Sequence, residues 1–140
     1  MSATVTVEPA ADVWLPRIGM TSVACRLSYV AADPYAVTLA VGGRGARPAT
    51  WTFARSLLVA GVVDRAGEGD VRIWRVRSHA PEGLVAYALR NLAGTLYLYV
   101  PLAPLMQFLN ATAGLALRNA TSVSDGVDAE LESLLGELDR

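Results

Sequence analysis

The sequence predicts an α+β fold. It should hold two antiparallel β meanders, about seven strands in all, with a short helix between them and helices at the C-terminal end. Three observations carry this. Apolar and polar residues alternate at period two in short runs before residue 54 and again from residue 71 to residue 100. Between those stretches Leu57, Leu58 and Val62 fall on one side of a helix. After Pro101 only helical spacing is left.

Thr4 to Glu8 reads as a first strand. Val23, Cys25, Leu27 and Tyr29 then alternate with Ala24, Arg26 and Ser28, and Tyr35, Val37, Leu39 and Val41 repeat the period after Asp33-Pro34. The two runs should form a hairpin. Pro34 fixes its own backbone angle and drives Asp33 toward an extended conformation, while the Asp33 carboxylate is placed to bond nearby amides. Gly42 to Gly45 supplies the next turn, and Ala49 to Phe53 returns with Trp51 and Phe53 on one face. The helix beginning near Ala54 is expected to stop at Gly61, as at a left-handed cap. Asp64 to Asp70 is a polar, glycine-rich turn.

Val71 to Arg77 resumes as a strand whose alternation is imperfect. Burial of Val71, Ile73, Trp74 and Val76 together would require a bulge near Trp74; otherwise both faces are partly covered. Leu84 to Arg90 and Thr95 to Val100 follow, joined by the turn at Asn91 to Gly94. In the last strand Leu96, Leu98 and Val100 share one face, and Thr95, Tyr97 and Tyr99 the other. Two tyrosines on a nominally solvated face imply that a helix or a second subunit covers it. Pro101 suits the first turn of a helix in which Leu102, Leu105, Met106 and Leu109 face the core, while Pro104 lies near the limit of what that turn tolerates. Residues 124–140 read as an acidic amphipathic helix capped by Asp125, with Val127, Leu131, Leu134, Leu135 and Leu138 on one stripe that packs on its own domain.

At 140 residues the chain suits a single domain spanning residues 1–140. Its hydrophobic fraction of 53% is high, yet Arg, Pro or Gly interrupts every apolar stretch before the roughly 18 residues a membrane span needs, so no membrane insertion is expected. Residues 1–8 lack a basic start and an apolar run, which excludes a secretory signal and predicts a cytoplasmic protein. All 12 basic residues are Arg, a bias that a GC-rich genome explains. A net charge of −1 makes nucleic acid an unlikely main partner, because phosphate contacts need surplus cations. The lone Cys25 sits on a core strand face and has no partner for an internal disulfide.

Chemistry is hard to find. His79 is the only histidine, and Ser78 beside it points to the opposite side of a continuing strand, so a Ser-His-Asp set with Asp33 or Asp70 is rejected. One His and one Cys make no transition-metal cluster, and the carboxylates near the C-terminus lack a calcium-loop pattern. The glycines at residues 42, 43, 45, 67 and 69 match neither a P-loop nor a dinucleotide fingerprint. No catalytic residue, metal or cofactor is expected, and the protein reads as non-enzymatic. Arg72, Arg75 and Arg77 with Trp74 echo in miniature the basic and aromatic mixture of a single-strand binder, although Arg72 faces away from the other two arginines without a bulge.

Three blocks carry a resemblance. Ala32 to Val37 spell A-D-P-Y-A-V, Trp51 to Leu58 spell W-x-F-A-R-x-L-L, and Gly69 to Trp74 spell G-D-V-R-x-W. In this order they resemble the SsgA-like sporulation and cell-division proteins of filamentous actinobacteria, over roughly Leu27 to Leu109. The resemblance implies a whirly-like architecture assembled as a homotrimer. It also implies action without known catalysis, as a septal adaptor that helps position the division machinery through the tubulin-like FtsZ or sibling family members. The chain departs from the family pattern at Arg75 after Trp74, Val30 after Tyr29, Asn110-Ala111-Thr112 after Leu109, and at Pro9 and Pro16, which leaves the subfamily open. Arg72, Trp74, Arg75, Arg77, Tyr97 and Tyr99 are the candidate interaction surface. The alternative is a whirly-like single-stranded nucleic-acid binder using Trp74 and the neighbouring arginines.

Overall fold

A computed structural model describes residues 3–43, 45–77 and 83–123, with side chains to residue 115. Its elements run β1 (Thr4–Val7), β2 (Ala11–Leu15), β3 (Gly19–Val23), β4 (Cys25–Val30), β5 (Ala36–Val41), β6 (Ala49–Ala54), α1 (Arg55–Val63), β7 (Arg65–Ala66), β8 (Val71–Val76), β9 (Leu84–Asn91), β10 (Gly94–Pro101) and α2 (Leu102–Val123). The strands make two antiparallel sheets, one in the order β1-β4-β5-β6 and the other β3-β2-β10-β9-β8-β7. The α+β reading with antiparallel sheets therefore stands. The strand number does not: ten are present among the described residues, against the seven expected.

The additional strands come from the N-terminal region that prolines interrupt. Val7 stands opposite Leu27 in the smaller sheet, and Ala11 stands opposite Val23 in the larger. The register is continuous across the gap, so β1–β2 and β3–β4 are the two arms of one long hairpin bent between sheets. Pro9 lies at the bend, where its missing N–H costs no ladder bond. Pro16 opens the tight turn before β3, in which Arg17 takes φ +72° and the Ile18 N–H reaches the Leu15 carbonyl at 3.3 Å. β2 then adds to the larger sheet beside β10, with Val13 opposite Leu98.

The Asp33-Pro34 turn joins β4 to β5 as expected, but other groups tie it. The Asp33 N–H donates to the Val30 carbonyl at 2.9 Å, and the buried Tyr29 hydroxyl donates to the Pro34 carbonyl at 3.2 Å. The Asp33 carboxylate makes no hydrogen bond among the described residues, and Tyr35 stays half exposed in the turn. Trp51 and Phe53 do share a buried face. The Trp51 indole N–H donates to the Arg90 carbonyl at 2.9 Å, pinning β6 to the far sheet.

Gly61 is not the helix stop. It lies inside α1, which closes with the Asp64 N–H on the Ala60 carbonyl. Its role is proximity: a Cβ at Gly61 would fall 2.4 Å from Ile73 Cγ2 and 2.5 Å from Ile73 Cβ. α1 thus packs on β8 closely enough that only glycine fits. Nor is there a bulge near Trp74, because β8 pairs with β9 without a break from Val71 opposite Leu89 to Val76 opposite Leu84. α2 is one helix running to Val123, with Pro104 in its first turn. It buries Leu105, Phe108, Leu109 and Thr112, while Met106, expected to face the core, is 40% exposed. The acidic helix expected over residues 124–140 lies outside the described residues, as do Ser78 and His79.

Both sheets and both helices contribute to a continuous apolar cluster that includes Leu27, Tyr29, Leu39, Phe53, Leu58, Ile73, Leu89, Leu98 and Phe108. Arg55 is buried beside it at the start of α1. Its Nε donates to Thr112 Oγ1 and its terminal NH2 group to the Leu109 carbonyl, each at 2.9 Å, so a cation from the second signature block clamps α1 to α2. Burial pulls this guanidinium below its ordinary range, and the neighbouring Tyr29 opposes the shift.

Candidate functional site

One face of β9 packs on the core through Val85, Tyr87 and Leu89; the other face carries Ala86 and Ala88. These alanines have almost no exposed surface although no described helix packs over them, and larger side chains on neighbouring strands stand around them. Trp74 on β8 and Tyr99 on β10 flank Ala86 in one cross-strand row, and Arg72 and Tyr97 flank Ala88 in the next. Antiparallel register puts these four side chains on a single outer face with an alanine floor.

Arg65 of β7 stands opposite Trp74 and places its guanidinium 6.0 Å from the indole centroid. That contact occupies one side of the ring with a cation. Across the sheet, Asp12 of β2 stands opposite Tyr99, and Trp14 opposite Met20. Trp14 and Tyr97 lie one repeat further along their strands on that same face. Trp14, Met20 and Tyr97 are 49%, 50% and 39% exposed, so the surface is broad, aromatic and open. It has cations toward the β7–β8 edge and a carboxylate toward β2.

The structure therefore brings together Arg72, Trp74, Tyr97 and Tyr99 and leaves Arg75 and Arg77 out. Arg75 stands opposite Val85 on the opposite face of β8, and its backbone N–H donates to the Asp64 carbonyl at 2.9 Å. Arg77 follows the last paired residue of β8 and is exposed. Trp14 and Met20 were missed because no strand was expected there. Ala86 and Ala88 were missed because alanine carries little face information in a run whose residues are nearly all apolar.

A second concavity lies at the corner of the bent hairpin. Glu8, Pro9, Ala24, Cys25, Arg26, Gly42 and Gly43 help to line a groove of about 870 Å3. Arg26 clasps Glu8 through two hydrogen bonds, of 3.0 and 2.6 Å, on its solvent-exposed rim. Cys25 at the base is a poor nucleophile, since burial pushes its thiol up to about 12 and thiolate is scarce near neutrality. Behind it the buried Tyr87 hydroxyl has no hydrogen-bond partner among the described residues. Burial raises its pKa well above the ordinary value, and Cys25 adds to the effect. Among the described residues no three His, Cys, Asp or Glu side chains converge as a metal site would require.

The comparisons with known proteins agree with one another. A family model described as "Streptomyces sporulation and cell division protein, SsgA" matches residues 23–120. The sporulation-specific cell division protein SsgB of Thermobifida fusca is 34% identical over 127 residues, covering 91% of each chain. SsgB of Streptomyces coelicolor is 33% identical over 137 residues, covering 98% of this chain and 99% of its own. The fold superposes with a TM-score of 0.75 and 34% identity on a structure solved in work on SsgB mutations that correlate with longitudinal cell division during Streptomyces coelicolor sporulation; the match covers 85% of this chain and 97% of the other. A crystal structure of an SsgA-like sporulation-specific cell division protein from Thermobifida fusca matches with a TM-score of 0.73 and 31% identity, over 94% of this chain and 96% of the other.

Proposed function

The chain belongs to the SsgA family of sporulation and cell division proteins, and from that premise we propose that it is a non-catalytic, homotrimeric adaptor of sporulation-specific septation. It helps bring FtsZ or a sibling family protein to the septum. The observation that carries this reading is the outer face of the six-stranded sheet. Arg72, Trp74, Tyr97 and Tyr99 surround an alanine floor there, and Trp14 and Met20 extend the apolar surface to the sheet edge. Aromatic anchors interleaved with arginine are the composition of a protein-binding hot spot. Residues 1–140 act as one domain, and a whirly-like arrangement of the two sheets presents that face.

The nucleic-acid alternative draws less support. Arg75 does not share the face of Trp74 and Arg72, Arg77 lies beyond the last paired residue of β8, and Arg65 occupies one side of the indole. A stacking platform needs a free ring beside a continuous cationic track.

Light scattering coupled to size exclusion, followed by pull-down with purified FtsZ and sibling proteins, tests the proposal. Trp74→Ala and Tyr97→Asp should lower capture or break the oligomer while the far-UV spectrum stays unchanged. A monomer that captures none of these proteins, or variants that capture them as well as the parent, would sink it. Salt-dependent binding to labelled oligonucleotides would favour the alternative.

A further inference from the structure

We propose that one end of the six-stranded sheet is a bilayer-contacting tip, formed by the Pro16–Ile18 turn and the Leu92–Ala93 turn. The antiparallel pairing of Asp12 with Tyr99 and Val13 with Leu98 runs β2 toward the start of β10. The β2–β3 turn and the β9–β10 turn therefore emerge from the same end of the sheet. Each carries an aliphatic side chain at its apex: Ile18 is 72% exposed and Leu92 fully so, more than any other large hydrophobic residue described.

Neither turn is free to fold those side chains back. Asn91 and Gly94 are cross-strand partners, so the loop between them has only two residues, and the Ala93 N–H is held by Asn91 Oδ1 at 2.8 Å. The other turn is fixed by the left-handed Arg17 and by the Ile18 N–H on the Leu15 carbonyl. Rigid turns that present apolar apices gain free energy only when something apolar receives them.

A lipid surface fits better than a protein. The two turns are residues 16–18 and 92–93, far fewer than the roughly 20–30 residues a side of a standard protein interface. A bilayer imposes no such requirement, because it conforms to whatever enters it. Trp14 and Met20, half exposed on the flanks of the first turn, stand where an interfacial tryptophan would sit at headgroup level. Arg17 adds a cation suited to lipid phosphates. Glu68 in the third loop at this end offsets it, and Asp70 is paired with Arg90 Nε at 3.0 Å. The contact is therefore mainly apolar. No described helix is long and apolar enough to cross a membrane. The contact is a shallow one between two turns and a surface, and it does not depend on the adaptor reading.

The test uses the full chain with vesicles of phosphatidylcholine and phosphatidylglycerol. Flotation should carry the protein with the lipid and should persist in high salt. Tryptophan emission should move to the blue on lipid addition, and Trp14→Phe should remove most of that change. Ile18→Asp with Leu92→Asp should lower partitioning by about tenfold or more, the scale of one aliphatic side chain returned to water, with an unchanged melting profile. No flotation of the parent, or equal flotation of the double variant, would overturn the proposal. A blue shift that survives Trp14→Phe would overturn it as well.

Discussion

Replacing Gly61 by alanine should destabilise the protein, although alanine is the better helix former. Alanine in a helix interior gains roughly 0.5–1 kcal/mol over glycine. Against that, the new methyl carbon would sit 2.4 Å from Ile73 Cγ2 and 3.1 Å from the Ile73 carbonyl oxygen. Carbon atoms pack at about 3.5–4.0 Å, so α1 has to lift from β8 by about 1 Å. Overpacking of this kind costs about 1–3 kcal/mol. The lift would also drag on Arg55, whose bonds to Leu109 and Thr112 are fixed by the same helix. The expected net loss is about 1–2 kcal/mol, a Tm lowered by roughly 4–8 °C at this chain length. Urea titration and calorimetry of Gly61→Ala, Ile73→Ala and the double variant measure it. Ile73→Ala removes the Cγ2 contact but keeps Cβ 2.5 Å and the carbonyl oxygen 3.1 Å from the new methyl, so most of the clash persists and the two losses should add to within about 0.5 kcal/mol. A Gly61→Ala protein as stable as the parent, or more so, would refute the close-approach argument and restore helix propensity as the governing term.

Three further outcomes follow from the same geometry. Arg55→Ala should cost about 2–4 kcal/mol in urea titration, because two charge-assisted bonds are lost and the Leu109 carbonyl and Thr112 hydroxyl lose a donor. Tyr29→Phe should cost about 0.5–1.5 kcal/mol through the lost bond to the Pro34 carbonyl, with a loss below 0.3 kcal/mol arguing that the turn holds itself. Cys25 should resist thiol reagents at pH 8 until urea unfolds the chain. Its thiol is raised from 9.0 to about 12, so the folded state keeps a proton that the unfolded state releases. Stability should therefore fall above pH 9, by up to about 1.4 kcal/mol per pH unit, and Cys25→Ala should flatten that slope in paired melts.

What the sequence made legible was local. Period-two alternation located β4, β5, β6 and β10 within a residue or two, because each has one face on the core and alternation records that directly, whereas β8 and β9 were bounded by the turns that flank them. It also placed Tyr97 and Tyr99 on one face, and Arg72 opposite Arg75 and Arg77. β2 and β3 were illegible because their prolines read as interruptions. Pro9 and Pro16 are in fact the bend and the turn of a hairpin whose register is visible only once both sheets are assembled. Gly61 misled for a related reason. Glycine serves equally at a helix end and at a tight crossing, and only the position of Ile73 separates the two. The outer face was half legible. Parity gave its aromatic rim, but its alanine floor depends on the β8–β9–β10 register, and its extension to Trp14 and Met20 on the pairing of β2 with β10, between residues more than 80 positions apart.

Those distant pairings also bear on when the protein can fold as it is made. β2 leaves the ribosome early, yet its neighbour in the larger sheet is β10, with Val13 opposite Leu98. The smaller sheet can close as soon as β6 has emerged, since β1, β4, β5 and β6 are all present by residue 54. The larger sheet must wait for most of the chain. In that interval the first hairpin is already anchored at one end and holds Val13 and Trp14 ready for a strand not yet synthesised. Long-range closure of this kind is slow and leaves edges open to wrong partners. A growing chain stalled short of residue 100 should thus be the form most inclined to aggregate.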